Sequence, residues 1–195
     1  FSCPKRLRGV DTELVEEVNL WHYAMINDAG RSQFFWNALK GRVEGLRVLD
    51  LGAGSGLLAM MAAKLGAASV VALEASEALC KVAETNLERN GMEDRVNVVH
   101  ALSTEVECEE EELSDVIVSE ILGTLLNGES VIDYIADARE RLAVPGARLV
   151  PAGGAQHCVL VASPSLRRFT SIGAEETCHG LDLSAMDELR DTAQA

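Results

Sequence analysis

Residues 47–74 read RVLDLGAGSGLLAMMAAKLGAASVVALE, and the order of elements in this stretch decides the fold. Arg47 to Leu51 is a short aliphatic strand, Gly52 to Gly56 a turn, and residues 57–67 a helix ended by Gly66. Ser69 to Glu74 is then a second strand. The same rhythm continues downstream. A helix is predicted over 76–90, ended by Asn90-Gly91, and strands over 96–100 and 115–118. A helix over 129–142, in which Asp137 and Arg141 can pair across one turn, precedes a strand over 147–150. Upstream, Leu14, Val18, Trp21 and Met25 recur at helical spacing behind a cap at Asp11 or Thr12, and residues 31–43 read as a second helix. Strands that are apolar throughout and alternate with helices indicate a parallel sheet covered on both faces. The prediction is therefore a doubly wound, Rossmann-like α/β domain.

In that architecture ligands sit at the carboxyl ends of the strands. Those ends are where this sequence turns polar: Asp50, Glu74, the Ser103-Thr104 turn and Glu120 each close or follow a strand. Glycines at 52, 54 and 56 let a backbone come close to a ligand at a helix N-terminus. Read from Gly54, the segment GSGLLA also fits the dinucleotide pattern G-x-G-x-x-A. Glu74 lies 20 residues on, where a ribose-binding acid belongs. On the turn alone, a nicotinamide dehydrogenase stays open.

Composition excludes other classes. The chain has 195 residues, is 48% hydrophobic, and carries 31 acidic against 17 basic residues, a net charge of −14. Such a chain can bury a core. It has no basic stripe for phosphates, so direct nucleic-acid binding is not expected, whereas a cationic partner is attracted. Much of the excess charge lies in 105-EVECEEEEL-113, read as a solvated loop between strands that can also steer a basic substrate. The apolar runs fall short of a membrane span. Five scattered cysteines without C-x-x-C spacing give neither a disulfide framework nor a metal site, and fit a reducing compartment.

Three segments carry a resemblance. VLDLGAGSGLLAMMAAKLGA (48–67) resembles motif I of the class I S-adenosylmethionine methyltransferases. SEILGTLLNGES (119–130) resembles the double-glutamate loop of the protein arginine methyltransferases, and WHYAMINDAGR (21–31) that family's cofactor-covering helix, with its Met-x-x-Asp-x-x-Arg spacing at Met25, Asp28 and Arg31. Residues 145–169 and GLDLSAM resemble the entry to the family's β-barrel. The resemblance implies cofactor-covering helices over 1–45, a Rossmann-like cofactor domain over 46–150, and the beginning of a substrate-binding barrel over 151–195. The chain is therefore expected to be a fragment.

The same resemblance assigns roles. Asp50, Gly52, Gly54 and Gly56 would form the turn for S-adenosyl-L-methionine, Glu74 would hold its ribose, and Ser103 and Thr104 its adenine. Arg31 would take its carboxylate through a bidentate fork, while His22 and Met25 would cover it. Glu120 and Glu129 would be catalytic. No metal is implied. A guanidinium holds its proton to a pKa above ~12 and spreads its charge over three nitrogens, which makes it a poor nucleophile. Two carboxylates gripping it would fix one nitrogen in line with the methyl group and draw positive charge elsewhere. The N-terminal amides of the predicted helix would favour Glu129. The implied partners are basic, arginine-containing proteins, histones among them, in the cytoplasm or nucleus. The family forms homodimers, although its dimerisation arm is not seen here. Val131 stands where many members place a methionine that shapes the product, and Asp28 lacks an identifiable histidine partner. Alternatives are a class I methyltransferase acting on another acceptor and a non-catalytic cofactor-binding remnant.

Overall fold

The computed structural model describes residues 20–123, 126, 130–161, 163, 165, 181–183 and 185. The expected helix start near residue 14 and Glu129 lie outside these residues. The chain divides into two compact units, residues 1–156 and 157–195. The first unit contains the sheet and the cavity described below.

Helices α1 (Leu20–Asn27) and α2 (Ala29–Leu39) lead into β1 (Arg47–Leu51), α3 (Leu57–Lys64), β2 (Ser69–Glu74), α4 (Glu77–Asn90) and β3 (Val96–His100). Two short 3-10 turns, Ser103–Glu105 and Glu110–Glu112, precede β4 (Ser114–Ser119), α5 (Val131–Arg141) and β5 (Ala143–Val150). The five strands are parallel in the order β3-β2-β1-β4-β5, so the chain reverses its direction of winding between β1 and β4. A crevice opens at such a switch point.

The strands are apolar on both faces because each face is covered. Val48, Val70, Ala72, Val116 and Val118 pack with Phe35, Leu39 and the alanines of α3 on one side. Leu49, Leu51, Leu73 and Ile117 pack with Ala138 of α5 and with Leu142, the residue that ends it, on the other. Local chemistry sets the helix ends. Asp28 caps α2 by accepting from the Arg31 backbone N–H at 2.9 Å, and Ser76 caps α4 by accepting from Leu79 N–H at 3.1 Å. Gly91 closes α4 at φ 62°. Four elements differ from expectation, the first being α2, which runs from Ala29 to Leu39 rather than over 31–43 because Asp28 caps it two residues earlier. The α3 helix stops at Lys64, two residues before Gly66, β5 begins at Ala143 rather than 147, and α5 begins at Val131 after Ser130, which holds φ 55° without a side-chain cap.

One close approach ties the first crossover to the last. Gly52 sits at φ 74°, and a Cβ on it would come 2.4 Å from Cγ2 of Ile121. The residue after Glu120 is thus seated directly on the glycine turn. Gly52→Ala should destabilise the fold by about 1–3 kcal/mol through overpacking and backbone strain. Adding Ile121→Ala should relieve the steric part and leave the backbone part. Urea unfolding measures both, and a Gly52→Ala chain as stable as its parent would contradict this packing.

Candidate active site

The carboxyl ends of β1, β2 and β4 and the helix α1 enclose a cavity of about 880 Å³. Its floor is the glycine turn. Behind that turn Asp50 is completely buried, and its Oδ2 accepts from the backbone N–H of Ala59 in the first turn of α3 at 2.8 Å. Glu74, at the tip of β2, uses both oxygens: Oε2 accepts from Gly54 N–H at 2.7 Å and Oε1 from Ser76 N–H at 2.9 Å. Asn86 of α4 donates to the Ser55 carbonyl at 3.0 Å. The turn is therefore fastened from three sides before any ligand enters.

The opposite wall is ionic. Arg31, near the start of α2, donates through Nη2 to Oε2 of Glu120 at 2.5 Å, with the two side chains 20% and 16% exposed. The Arg31 guanidinium also lies over the Phe35 ring, 5.5 Å from its centre. Its Nε is buried and has no hydrogen-bond partner. Glu120 itself is placed by β4, where the preceding Ser119 hydroxyl donates to the Leu51 carbonyl at 2.8 Å. A third wall consists of Ala101, Leu102 and Ser103, whose hydroxyl is buried and unpartnered, with Tyr134 of α5 also lining the cavity.

The sequence-predicted residues fall into three groups. His22, Met25, Arg31, Gly52, Gly54, Glu74, Ser103 and Glu120 all line the cavity. Asp50, Gly56 and Thr104 do not. Asp50 stands beneath the turn and holds α3. Gly56, at φ 80°, caps α3 and leaves room for Ala83, which would lie 3.3 Å from a Cβ there. Thr104 is exposed, and Leu102 takes the place beside Ser103 that the sequence assigned to it. Glu129 is outside the described residues. Sequence reasoning missed Asn86, Ile121 and Tyr134. All three line the cavity; Asn86 and Ile121 are brought there by contacts with Ser55 and Gly52, distant in sequence, and only the spacing of Tyr134, Asp137 and Arg141 on one helical stripe gave any signal.

The cavity offers what an S-adenosyl cofactor requires of its host. A close-approaching glycine turn, an acid at the end of the second strand, and two residues with an orphaned buried polar atom, Arg31 and Ser103, line one space of sufficient size. The family model described as "Ribosomal protein L11 methyltransferase (PrmA)" matches residues 36–153. The chain belongs to the class I S-adenosylmethionine-dependent methyltransferase family. Its resemblance to the arginine-specific members is also borne out. It is 35% identical over 195 residues to an "Arginine N(omega)-methyltransferase" of Streptomyces achromogenes subsp. streptozoticus, covering 96% of this chain and 53% of that one. It is 33% identical over 171 residues to a "Probable protein arginine N-methyltransferase 6" of Arabidopsis thaliana, covering 86% and 38%. The chain thus spans about half or less of these relatives. A solved complex of the Trypanosoma brucei PRMT1 enzyme and prozyme with AdoHcy matches with a TM-score of 0.72 at 24% identity, over 92% of this chain and 56% of that one, which supports the fold.

Burial pushes the Asp50 carboxyl up to about 7 from its ordinary 3.8; the Ala59 amide opposes the shift, nearby Glu74 adds to it and Arg31 opposes it. The Cys80 thiol, 3.5 Å from the Glu74 carbonyl, is likewise pushed up to about 11, chiefly by burial, which leaves it unreactive at neutral pH. Because the folded carboxyl holds its proton more tightly than the unfolded one, Asp50 lowers stability progressively as pH rises from about 4 to 7, and by a constant amount above. Asp50→Asn should therefore gain on the parent by up to ~1.4 kcal/mol per pH unit across that window and no further beyond it. Urea unfolding at a series of pH values measures the difference. A difference independent of pH would show that Asp50 does not titrate there.

Proposed function

We propose that the chain binds S-adenosylmethionine in this cavity and transfers its methyl group to the guanidinium of an arginine in a protein substrate. The observation that carries the reading is the position of Glu120, whose carboxylate lies in the cofactor cavity and already accepts a hydrogen bond from a guanidinium, that of Arg31. When bound, the cofactor supplies an electrophilic methyl group on a sulfonium sulfur. Gly52, Gly54 and Glu74 would hold its nucleoside end, and Arg31, with an unused Nε–H, its carboxylate. Engaging that carboxylate draws Arg31 away from Glu120 and leaves the latter a carboxylate in need of a cation. A substrate guanidinium meets that need. Glu120, with Glu129 as a second grip proposed from the sequence resemblance, would orient one terminal nitrogen and stabilise the charge that develops on it. The net charge of −14 favours approach of basic segments, and the histone, nuclear and homodimer expectations remain proposals of the same kind.

A second reading has free arginine as the acceptor. The Streptomyces relative, whose match covers nearly all of this chain, carries "arginine" without "protein" in its name. Transfer of labelled methyl to an arginine peptide and to free arginine, compared side by side, separates the two. On the main reading, Glu120→Gln and Glu129→Gln, tested in a chain extended to the relatives' length, each keep cofactor affinity and lose about 10²–10³ in peptide methylation. The double variant should lose far less than the product of the two, since the carboxylates act as one unit. Full peptide methylation by either single variant would remove the clamp.

A further inference from the structure

We propose that Arg141 is a positioning residue for the cofactor, holding the Ala101–Ser103 wall of the cavity at a fixed distance from α5; the proposal rests on reading the cavity as the S-adenosylmethionine site. Arg141 is two turns beyond Tyr134 on the same stripe of the helix, and Tyr134 lines the cavity. Its guanidinium makes four hydrogen bonds. Nε and Nη2 donate to the two oxygens of Asp137 at 2.8 and 2.7 Å, which fixes the plane of the fork. The remaining donors go to the backbone of the facing loop: Nη2 to the Ser103 carbonyl at 2.7 Å and Nη1 to the Val106 carbonyl at 2.8 Å.

Those two carbonyls bracket the Ser103–Glu105 turn, a single 3-10 turn with little hold of its own. The loop that follows it is acidic and largely exposed, held by the packing of Val106 and Cys108 on the core and by Arg47 at the Glu111 carbonyl, so Arg141 supplies the side-chain hydrogen bonds nearest the wall itself. Ser103 is itself 2% exposed, and its hydroxyl has no partner. A buried hydroxyl without a partner is costly unless a ligand satisfies it, and its direction is set by the backbone that Arg141 grips. Arg141 does not itself line the cavity. It joins two walls, Ser103 and Tyr134, that are 31 residues apart in the chain.

The test is titration of S-adenosylhomocysteine into the parent chain and into Arg141→Lys, Arg141→Ala and Asp137→Asn, with amide hydrogen exchange followed over the described backbone. Arg141→Ala should weaken binding by about tenfold. Arg141→Lys keeps the charge and loses the fork, and should recover little. Asp137→Asn should fall between the parent and Arg141→Lys. In all three, exchange should quicken over 101–106 and stay unchanged in the β1 and β2 amides. Adding Ser103→Ala to Arg141→Lys should weaken binding no more than the larger single effect, because both changes act on one contact. Should Arg141→Ala fail to fold, Arg141→Lys and Asp137→Asn decide the matter. Parent-like affinity in a folded Arg141→Lys chain would overturn the proposal, as would weakened binding with unaltered exchange over 101–106. If the parent itself gives no binding, the cofactor reading fails and this proposal with it. If the parent binds and the variants match it, only this proposal fails.

Discussion

The cavity depends on carboxylates that accept backbone amides at the ends of adjacent strands. Asp50 takes the Ala59 amide and so sets α3 on β1; Glu74 takes the Gly54 and Ser76 amides and so locks the glycine turn to β2 and to the entry of α4. The amides at such a turn and at helix N-termini have no partner within the element, and leaving them unpaired in a buried site would be costly. Once the turn is fixed, Ile121 can seat against the bare Cα of Gly52, and the segment after β4 follows it. Glu120 is then delivered to the cavity by the pairing of β4 with β1 and by the Ser119 hydroxyl on Leu51. One set of hydrogen bonds thus decides where both the glycine turn and Glu120 lie in the cavity.

The bridge between Arg31 and Glu120 adds a different kind of constraint. Both side chains are mostly withdrawn from water, where removing one partner would strand the other charge. Such a pair is poor evidence of stability and good evidence of poise. On the function proposed above, an anion that takes Arg31 would leave Glu120 in need of a cation, and a substrate guanidinium would meet that need as the Arg31 guanidinium does in this structure. The net charge of −14 would favour the approach of such cations.

The fold was legible because its signals are local and periodic. Aliphatic strands such as Val48 to Leu51 and Val116 to Val118, separated by capped helices, can pack only as a covered parallel sheet, and all five strands are parallel as read. Glu74 and the glycine turn were legible for the same reason: strand end and spacing locate them. What sequence could not supply is the direction of a side chain across the sheet. Asp50 alternates with Leu49 and Leu51, and its pleat turns it under the turn toward α3 rather than into the cavity. Thr104 fails similarly, because the 3-10 turn buries Ser103 and faces its neighbour outward. The Asp137–Arg141 pair was readable at one helical turn, but the loop carbonyls that give it meaning come from a segment some 35 residues away, beyond any local pattern.

Calorimetric titration of S-adenosylhomocysteine and of NAD into the parent chain and Arg31→Ala tests the cofactor assignment most directly. The geometry predicts one-to-one binding of S-adenosylhomocysteine by the parent, weakened roughly tenfold to a hundredfold by Arg31→Ala as a hydrogen bond to a charged group is lost, and no binding of NAD. Binding of NAD by a chain that gives no response to S-adenosylhomocysteine would contradict it.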